Sequence, residues 1–443
     1  MNKRTKTILV NILLVLCIGL GVYVIQRPVV LELGVFTGSN WDVPSPQNGK
    51  IIDHAIALFE AEHPNVKVKY TSGIIKSDYS KWLSNKALSG DLPDVFMVMR
   101  DDLSTFADIG MLDDLNDDIQ SDTTFDAKKY YSTSYETGNI GGHQFALPYE
   151  SVPTLMFVNQ TLINENHITI PKKCTWDDFY SICSQLTKDT DGDGVLDQFG
   201  QYGYTWQQAL SSNGAHVFNE DGTKLLIEDQ KAIDAIAFVR NLYRLNQGIN
   251  VTSAMFDKGQ VAFCPMRFSE YRTYKPYPWS VKKYSSFEWD CIPMPAGPKG
   301  ANASEMDTLM FGMSKQSHHK RLAWDFLKTV SYEEKIQKQL FKYSQGVSVL
   351  KNITNSKTVQ KYIQEDAPKD QNYNLDFFDE TMEKAVVIHR FKEYDQVFPM
   401  IDSEMQRLLN TNEDIQKGIS DTAEEVEITL GKKMTFVTSS YDK

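Results

Sequence analysis

Four aspartates, Asp189, Asp191, Asp193 and Asp197, fall at alternate or near-alternate positions around Gly192 and Gly194 in "TKDTDGDGVLDQFG" (187–200). Hard cations take carboxylate and carbonyl oxygens in loops of this kind. Scored against an EF-hand calcium loop, positions 1, 3, 5 and 9 are carboxylates and position 6 is glycine, but position 12 is Gly200 where a bidentate glutamate belongs. Two readings stand: a structural calcium ion held by Asp189, Asp191, Asp193, Asp197 and the Val195 carbonyl, or a solvated turn. No cofactor is required by either.

A second constellation mixes rings and charges. Between 268 and 289 the chain carries eight aromatics (Phe268, Tyr271, Tyr274, Tyr277, Trp279, Tyr284, Phe287 and Trp289), interleaved with Glu270 and Arg272 and preceded by Arg267. Their spacing fits neither a helical nor a strand stripe. A sugar offers apolar C–H faces and hydroxyls, so aromatic planes beside carboxylates, amides and guanidiniums suit it. Core packing accounts for some of the rings. Asn40, Trp41 and Asp42 in "TGSNWDVP" (37–44) follow the strand-like run "VVLELGVF" (29–36), and Arg100 follows "DVFMVM" (94–99). Loops at the carboxyl ends of strands in open α/β sheets face the ligand crevice. Arg100 suits a carboxylate or vicinal hydroxyls, which its planar fork can grip at two points.

Catalytic signatures are missing. There is no Gly-x-Ser-x-Gly elbow, Walker loop, Gly-x-Gly-x-x-Gly or His-Glu-x-x-His. With 58 acidic residues, a glycosidase-like carboxylate pair exists somewhere by chance and signals nothing. No enzyme is expected. The formal net charge is −12; the first 30 residues hold four basic groups and no acid, which leaves −16 on the rest. Such a surface repels phosphate backbones and argues against nucleic acid as a partner. Beyond Cys17 the cysteines are Cys174, Cys183, Cys264 and Cys291, too few for a disulfide scaffold. Cys264 and Cys291 each end a strand-like run and are either a pair or two buried thiols.

The elements that position these residues alternate. "NGKIIDHAIALFEAEHP" (48–64) places Ile51, Ile52, Ala55, Ile56 and Phe59 on one helical face. "VKVKY" (66–70) reads as a half-exposed strand, "YSKWLSNKALSG" as a helix capped at Gly90, and "DVFMVM" as a buried parallel strand. This order implies right-handed crossovers and an open α/β sheet. A second block begins near 150 with the strand "TLMFVN" (154–159), the helix "TWDDFYSICSQLTK" (175–188) capped by Thr175, the helix "EDQKAIDAIAFVRNLYRLN" (228–246) and the strand "QVAFCPM" (260–266); from 318 onward the chain reads as mostly helical. No low-complexity linker separates the blocks, which suggests several short crossings between two lobes.

At the N-terminus, Lys3, Arg4 and Lys6 precede an 18-residue apolar run, Ile8 to Ile25. About 20 residues span a bilayer, and basic residues before the span stay inside the cell. The favoured reading is an uncleaved signal anchor over 1–28, with the rest of the chain on the extracellular face of the cell membrane. A cleaved signal peptide, or a lipid on Cys17 after "LVL", are the alternatives.

Eight phrases in order resemble one family: "GDLPDVFMV" (90–98), "FADIGMLDDL" (106–115), "HQFALPYESVPTLMFVNQTLINENHI" (143–168), "TWDDF" (175–179), "YGYTWQQALSSNGAHVF" (202–218), "FDKGQVAFCPM" (256–266), "IPMPAGPKG" (292–300) and "TLMFGMSKQSHHKRLAWDFLKTVS" (308–331). They are similar to the extracellular solute-binding proteins of ABC transporters, the sugar-binding family that includes maltose-binding protein, over roughly 31 to 435. The resemblance implies a two-lobe, periplasmic-binding-protein-like (type II) α/β fold with a multi-strand hinge. It implies lobe 1 over 29–147 plus 301–329 and lobe 2 over 148–300 plus 330–443. It further implies reversible binding of a carbohydrate, by a monomer that hands it to a permease. Tyr149 and Glu150 stand at the first lobe crossing, Tyr204 and Trp206 in a segment that stacks sugar rings, and Arg267, Phe268, Glu270 and Tyr271 in a ligand loop. Asp307 precedes the strand back to lobe 1, and Phe398 lies in a stretch whose aromatic reaches ligand. "MRFSEYR" (266–272) and "SEMDTLMFGMS" (304–314) depart from the usual pattern, which leaves the sugar open. A ligand carboxylate paired with Arg100 or Arg267 is one hypothesis. The Asp-Gly run resembles a turn that many members carry away from the crevice. A membrane-tethered, calcium-dependent sensor or adhesin is the alternative function, and a carbohydrate-active enzyme a more distant one.

Overall fold

The alternation read over 29–99 folds as β-α-β-α-β. Val29–Gly34 (β1) pairs in parallel with Val66–Tyr70 (β2) and with Val95–Val98 (β3). The helix between the first two, Gly49–Glu62 (α1), buries Ile51, Ile52, Ala55 and Phe59. The isoleucine and phenylalanine side chains each gain about 1.5–3 kcal/mol on leaving water. Lys76–Ser89 (α2) stops at Gly90, whose φ of 76° is left-handed, and Arg100–Asp108 (α3) begins directly after β3.

The computed structural model describes residues 28–41, 47, 49–219, 222–270, 287–365, 377–388 and 390–441. The anchor run, Cys17, Asp42, Tyr271, Arg272 and the rings at 274, 277, 279 and 284 lie outside the described residues. Among the described residues no helix is long and apolar enough to cross a membrane.

Ala146–Asn159 (β4) joins two sheets. Its first half pairs antiparallel with Met306–Met313 (β8), which in turn pairs with β3. Its second half pairs with Val261–Arg267 (β6) on one edge and Trp289–Ile292 (β7) on the other, and Phe199–Gln201 (β5) extends β6 in parallel. The path therefore runs β2-β1-β3-β8-β4-β6-β5. Phe157 of β4 lies opposite Cys264 on one side and Cys291 on the other. Two strand spacings, roughly 9–10 Å, separate those cysteines, too far for a disulfide. All four described cysteines are buried free thiols.

Three chain segments cross between the lobes side by side. The Thr154 N–H donates to the Glu305 carbonyl at 3.1 Å, and the Val386 N–H donates to the Ser304 carbonyl at 2.8 Å. Glu305 and Val386 form a parallel bridge. This is the multi-strand hinge, and it moves the lobe boundaries from those expected. Residues 146–153 pair inside the first sheet. Lys320–Ser331 (α7), Glu334–Tyr343 (α8) and the short strand Val347–Ser348 (β9) also join the first lobe, as do Ile353, Val359, Phe378 and Met382. The reason is β9, which pairs with Glu150 and Ser151, and Gln337, whose amide donates to the Tyr149 carbonyl at 2.9 Å. The chain returns to lobe 2 only after 386. There Tyr394–Leu409 (α9) packs against Trp206–Ser212 (α5) and Gln230–Leu245 (α6), in a second core that Trp176–Leu186 (α4) shares.

Candidate functional site

A cleft of about 450 Å³ opens at the hinge. α5 contributes the residues at its start. Thr205 caps the helix: its hydroxyl accepts from the Gln208 N–H, and the Gln208 side chain accepts from the Thr205 N–H. That capping box leaves Gln207 and Gln208 in the cleft wall, with Ser211 one turn on. Trp206 points the other way. It is fully buried, and its indole donates to Asp402 of α9 at 2.8 Å. Gln207 also reaches Asp402 through its amide nitrogen at 3.3 Å, while its carbonyl oxygen is buried with no hydrogen-bond partner among the described residues.

The aromatic wall comes from α9. Tyr394 and Phe398 are one helical turn apart and stack with centroids 5.0 Å apart and planes 13° apart. Phe218 meets Tyr394 edge-on at 5.9 Å, and Trp206 stacks behind Phe398 at 5.9 Å. Arg390 sits 4.9 Å over the Tyr394 ring. Burial pushes the Tyr394 hydroxyl up to about 12, with Arg390 and Arg100 opposing.

Facing this wall are charges. Arg100, Arg267, Glu270, Glu305 and Arg390 all line the cleft. Asp307 stands behind two of the guanidiniums, 3.1 Å from Arg100 Nη1 and 3.0 Å from Arg267 Nη2. Desolvation pushes the Glu305 carboxyl above its ordinary range, and Arg100 is the largest influence against it.

Of the residues singled out from sequence, Arg100, Arg267, Glu270 and Phe398 line the cleft, and Asp307 braces it. The others among the described residues do not. Tyr204 is fully buried, its hydroxyl shared with Trp176 and Ser212 in the lobe 2 core. Tyr149 is buried against Phe311. Glu150 is fully buried and accepts from Asn40 (2.6 Å), the Ser344 hydroxyl (2.5 Å) and the Gly346 N–H (2.6 Å). Burial pushes its carboxyl up, and these bonds, Ser344 first, oppose the rise. Asn40 and Trp41 are buried beside it, so this group locks the loop after β1 to β4 instead of forming a cleft wall. Phe268 is buried against Phe378.

Sequence reasoning missed Gln207, Phe218, Glu305, Arg390 and Tyr394. Tyr394 had a signal, since it lies four residues before Phe398 on the same helical face. Gln207 had one too, in the Thr-x-x-Gln capping pattern at 205–208, which fixes where the helix starts. Glu305 and Arg390 had none, because nothing local marks a hinge.

The Asp-Gly run connects α4 to β5, outside the cleft lining. Asp189 accepts from the Gly192 and Gly194 N–H groups at 2.7 Å each, and Asp197 from Thr190. Backbone donors, Gly194 first, hold the Asp189 carboxyl below its ordinary range. Oxygens of Asp189, Asp191 and Asp197 lie within 4.8 Å of one another, a grouping that suits a hard cation. Asp193 instead accepts from the Val195 N–H at 2.8 Å and stands outside that group.

Comparison with known proteins gives a consistent picture. A family model described as bacterial extracellular solute-binding protein matches residues 44–337. Among curated proteins, an uncharacterized lipoprotein in the oleD 5′ region of Streptomyces antibioticus is 24% identical over 300 residues, 61% of this chain. The match likewise spans 61% of that relative's length. Among solved structures, the sugar-binding protein MalE of Xanthomonas citri superposes with a TM-score of 0.74 at 15% identity, covering 92% of this chain and 99% of that one. The cyclic alpha-maltosyl-1,6-maltose binding protein of Arthrobacter globiformis gives 0.73 at 20% identity, covering 90% and 98%. The ABC substrate-binding protein Lmo0181 of Listeria monocytogenes, solved with cycloalternan, gives 0.66 at 20% identity, covering 91% and 99%. At these identities the likeness to the solved structures is one of fold.

Proposed function

We propose that this chain, which belongs to the bacterial extracellular solute-binding protein family, binds an oligosaccharide between its lobes and delivers it to the permease of an ABC importer. The family and fold are those of non-enzymatic binding proteins. The observation that carries the reading is the cleft itself. An aromatic wall of Phe218, Tyr394 and Phe398 faces guanidiniums and carboxylates in a space of about 450 Å³, with the Gln207 carbonyl oxygen beside it, unpartnered among the described residues. Rings take the C–H faces of a sugar, and the polar groups take its hydroxyls. The similar proteins described above, one solved with cycloalternan and one that binds cyclic alpha-maltosyl-1,6-maltose, support that ligand class.

Asp307 already engages both Arg100 and Arg267, the two groups that could otherwise pair with a ligand carboxylate, so charge within the cleft is compensated and a neutral sugar fits better than a uronate. In the same reading, residues 1–28 tether a monomer to the outer face of the membrane, by a span or by lipid on Cys17. A calcium ion held by Asp189, Asp191 and Asp197 braces lobe 2.

Calorimetric titration of the full chain with maltotetraose, cycloalternan and a uronate-bearing oligosaccharide tests the proposal. A neutral oligosaccharide binds in the micromolar range, about −8 kcal/mol, and Tyr394→Ala weakens it by about tenfold through loss of ring stacking. Binding of the uronate alone, or the appearance of new reducing ends, overturns it.

A further inference from the structure

Six charged side chains alternate in sign around the cleft. Arg267 of lobe 2 pairs with Asp307 on the hinge strand β8 at 3.0 Å, and Asp307 pairs with Arg100 of lobe 1 at 3.1 Å. Arg100 Nε stands 3.8 Å from Asp101 on the same helix. Arg390 of lobe 2 comes back to that same Asp101 oxygen at 3.1 Å and ends the series on Asp395, also at 3.1 Å. The three guanidiniums line the cleft, whereas Asp101, Asp307 and Asp395 stand outside its lining. Lobe 1 is thus tied to lobe 2 at two points, Asp307 to Arg267 and Asp101 to Arg390.

We propose that Asp101 and Asp307 are positioning residues of an ionic clasp, which holds the lobes together across the cleft before any ligand arrives. Neither acid needs to touch the ligand. Each fixes a guanidinium that does line the cleft, and each resists the hinge rotation that would open it. The guanidiniums of Arg100 and Arg390 are sheltered, at 16% and 24% side-chain exposure, and so is Asp307 at 23%, whereas Asp101 is at 59%. Of the two acids that tie the lobes, Asp101 is thus the more open to water and salt, and screening loosens the clasp at its contact with Arg390. Domain closure about a hinge is a two-state motion that such contacts can bias.

The test needs no sugar, so it stands apart from the carbohydrate reading. Spin labels are placed on the full chain at Leu88→Cys in lobe 1 and Tyr180→Cys in lobe 2, both exposed positions, with Cys17→Ser. Distances are read by double electron–electron resonance at low salt and in 1 M NaCl, where the screening length falls to about 3 Å. At low salt the unsubstituted clasp gives one short distance, and 1 M NaCl shifts the distribution to longer ones. Asp101→Asn gives the longer distribution at low salt with an unchanged melting temperature, and Asp101→Glu restores the short one. Asp307→Asn, if it folds, repeats the result. A distribution that ignores both salt and Asp101→Asn overturns the clasp, as does a variant that responds to salt as fully as its parent.

Discussion

Asp122 collects four hydrogen bonds in lobe 1: from Lys328 (2.5 Å), the Trp324 indole (2.9 Å) and the Thr124 N–H and hydroxyl (2.8 and 2.6 Å). Burial alone would push its carboxyl up, but Lys328, Thr124 and Trp324 together outweigh it and hold the group well below the usual range. A carboxyl depressed in the folded state adds stability that is present above the unfolded value of about 3.9 and lost as pH falls toward the folded one. Urea unfolding at several pH values should therefore find Asp122→Asn less stable than the parent at pH 7, with the gap closing below about pH 4. A gap that stays constant with pH would contradict this account. At the same scale, Trp206 and Tyr394 show why ring identity misled the reading of the site. Both belong to one stacked series, yet only Tyr394 meets the cleft, because Trp206 is drawn to Asp402 and covered by Phe398. Sequence carries the ring but not the side of it that stays open.

At the scale of elements, local pattern was a good guide where one helix face or one strand decided the outcome. The apolar face of α1, the glycine stop after α2 and the capping boxes at Thr175 and Thr205 all follow from residue types at fixed spacing. It failed where pairing is distant in sequence. The stretch 330–385 reads as more helix of lobe 2, and it is the pairing of Val347 and Ser348 with β4, with the Gln337 bond to Tyr149, that assigns its described residues to lobe 1. The loop from α4 to β5 is a local device and its prediction is local. Calcium at about 100 times its dissociation constant should add about 2.7 kcal/mol to folding, so thermal melts should rise with calcium and fall back on chelation. Asp189→Asn should abolish the rise without changing oligosaccharide affinity, since the loop stands outside the cleft lining. Identical melts with calcium and with chelator would leave the loop as a plain turn, capped by its own glycine N–H groups.

For the whole molecule, the consequential feature is that three strands form the hinge and that the charged groups of the cleft cluster on and around it. Glu305 and Asp307 lie on the returning strand, Arg267 ends β6, and Arg390 follows the last crossing. A ligand in the cleft therefore touches the segments that must move for the lobes to open, which couples binding to closure. The two-lobe α/β architecture was legible from the ordered phrases and the strand–helix alternation. The cleft was only half legible, because six chain segments far apart in sequence build it. Hydrogen exchange, measured with and without the neutral oligosaccharide that binds, tests this most directly. The account predicts new protection around Arg100 in lobe 1 and at 205–218, 265–267 and 386–398 in lobe 2, on both sides of the hinge. Protection confined to one lobe's outer surface, or to the loop at 189–197, would contradict it.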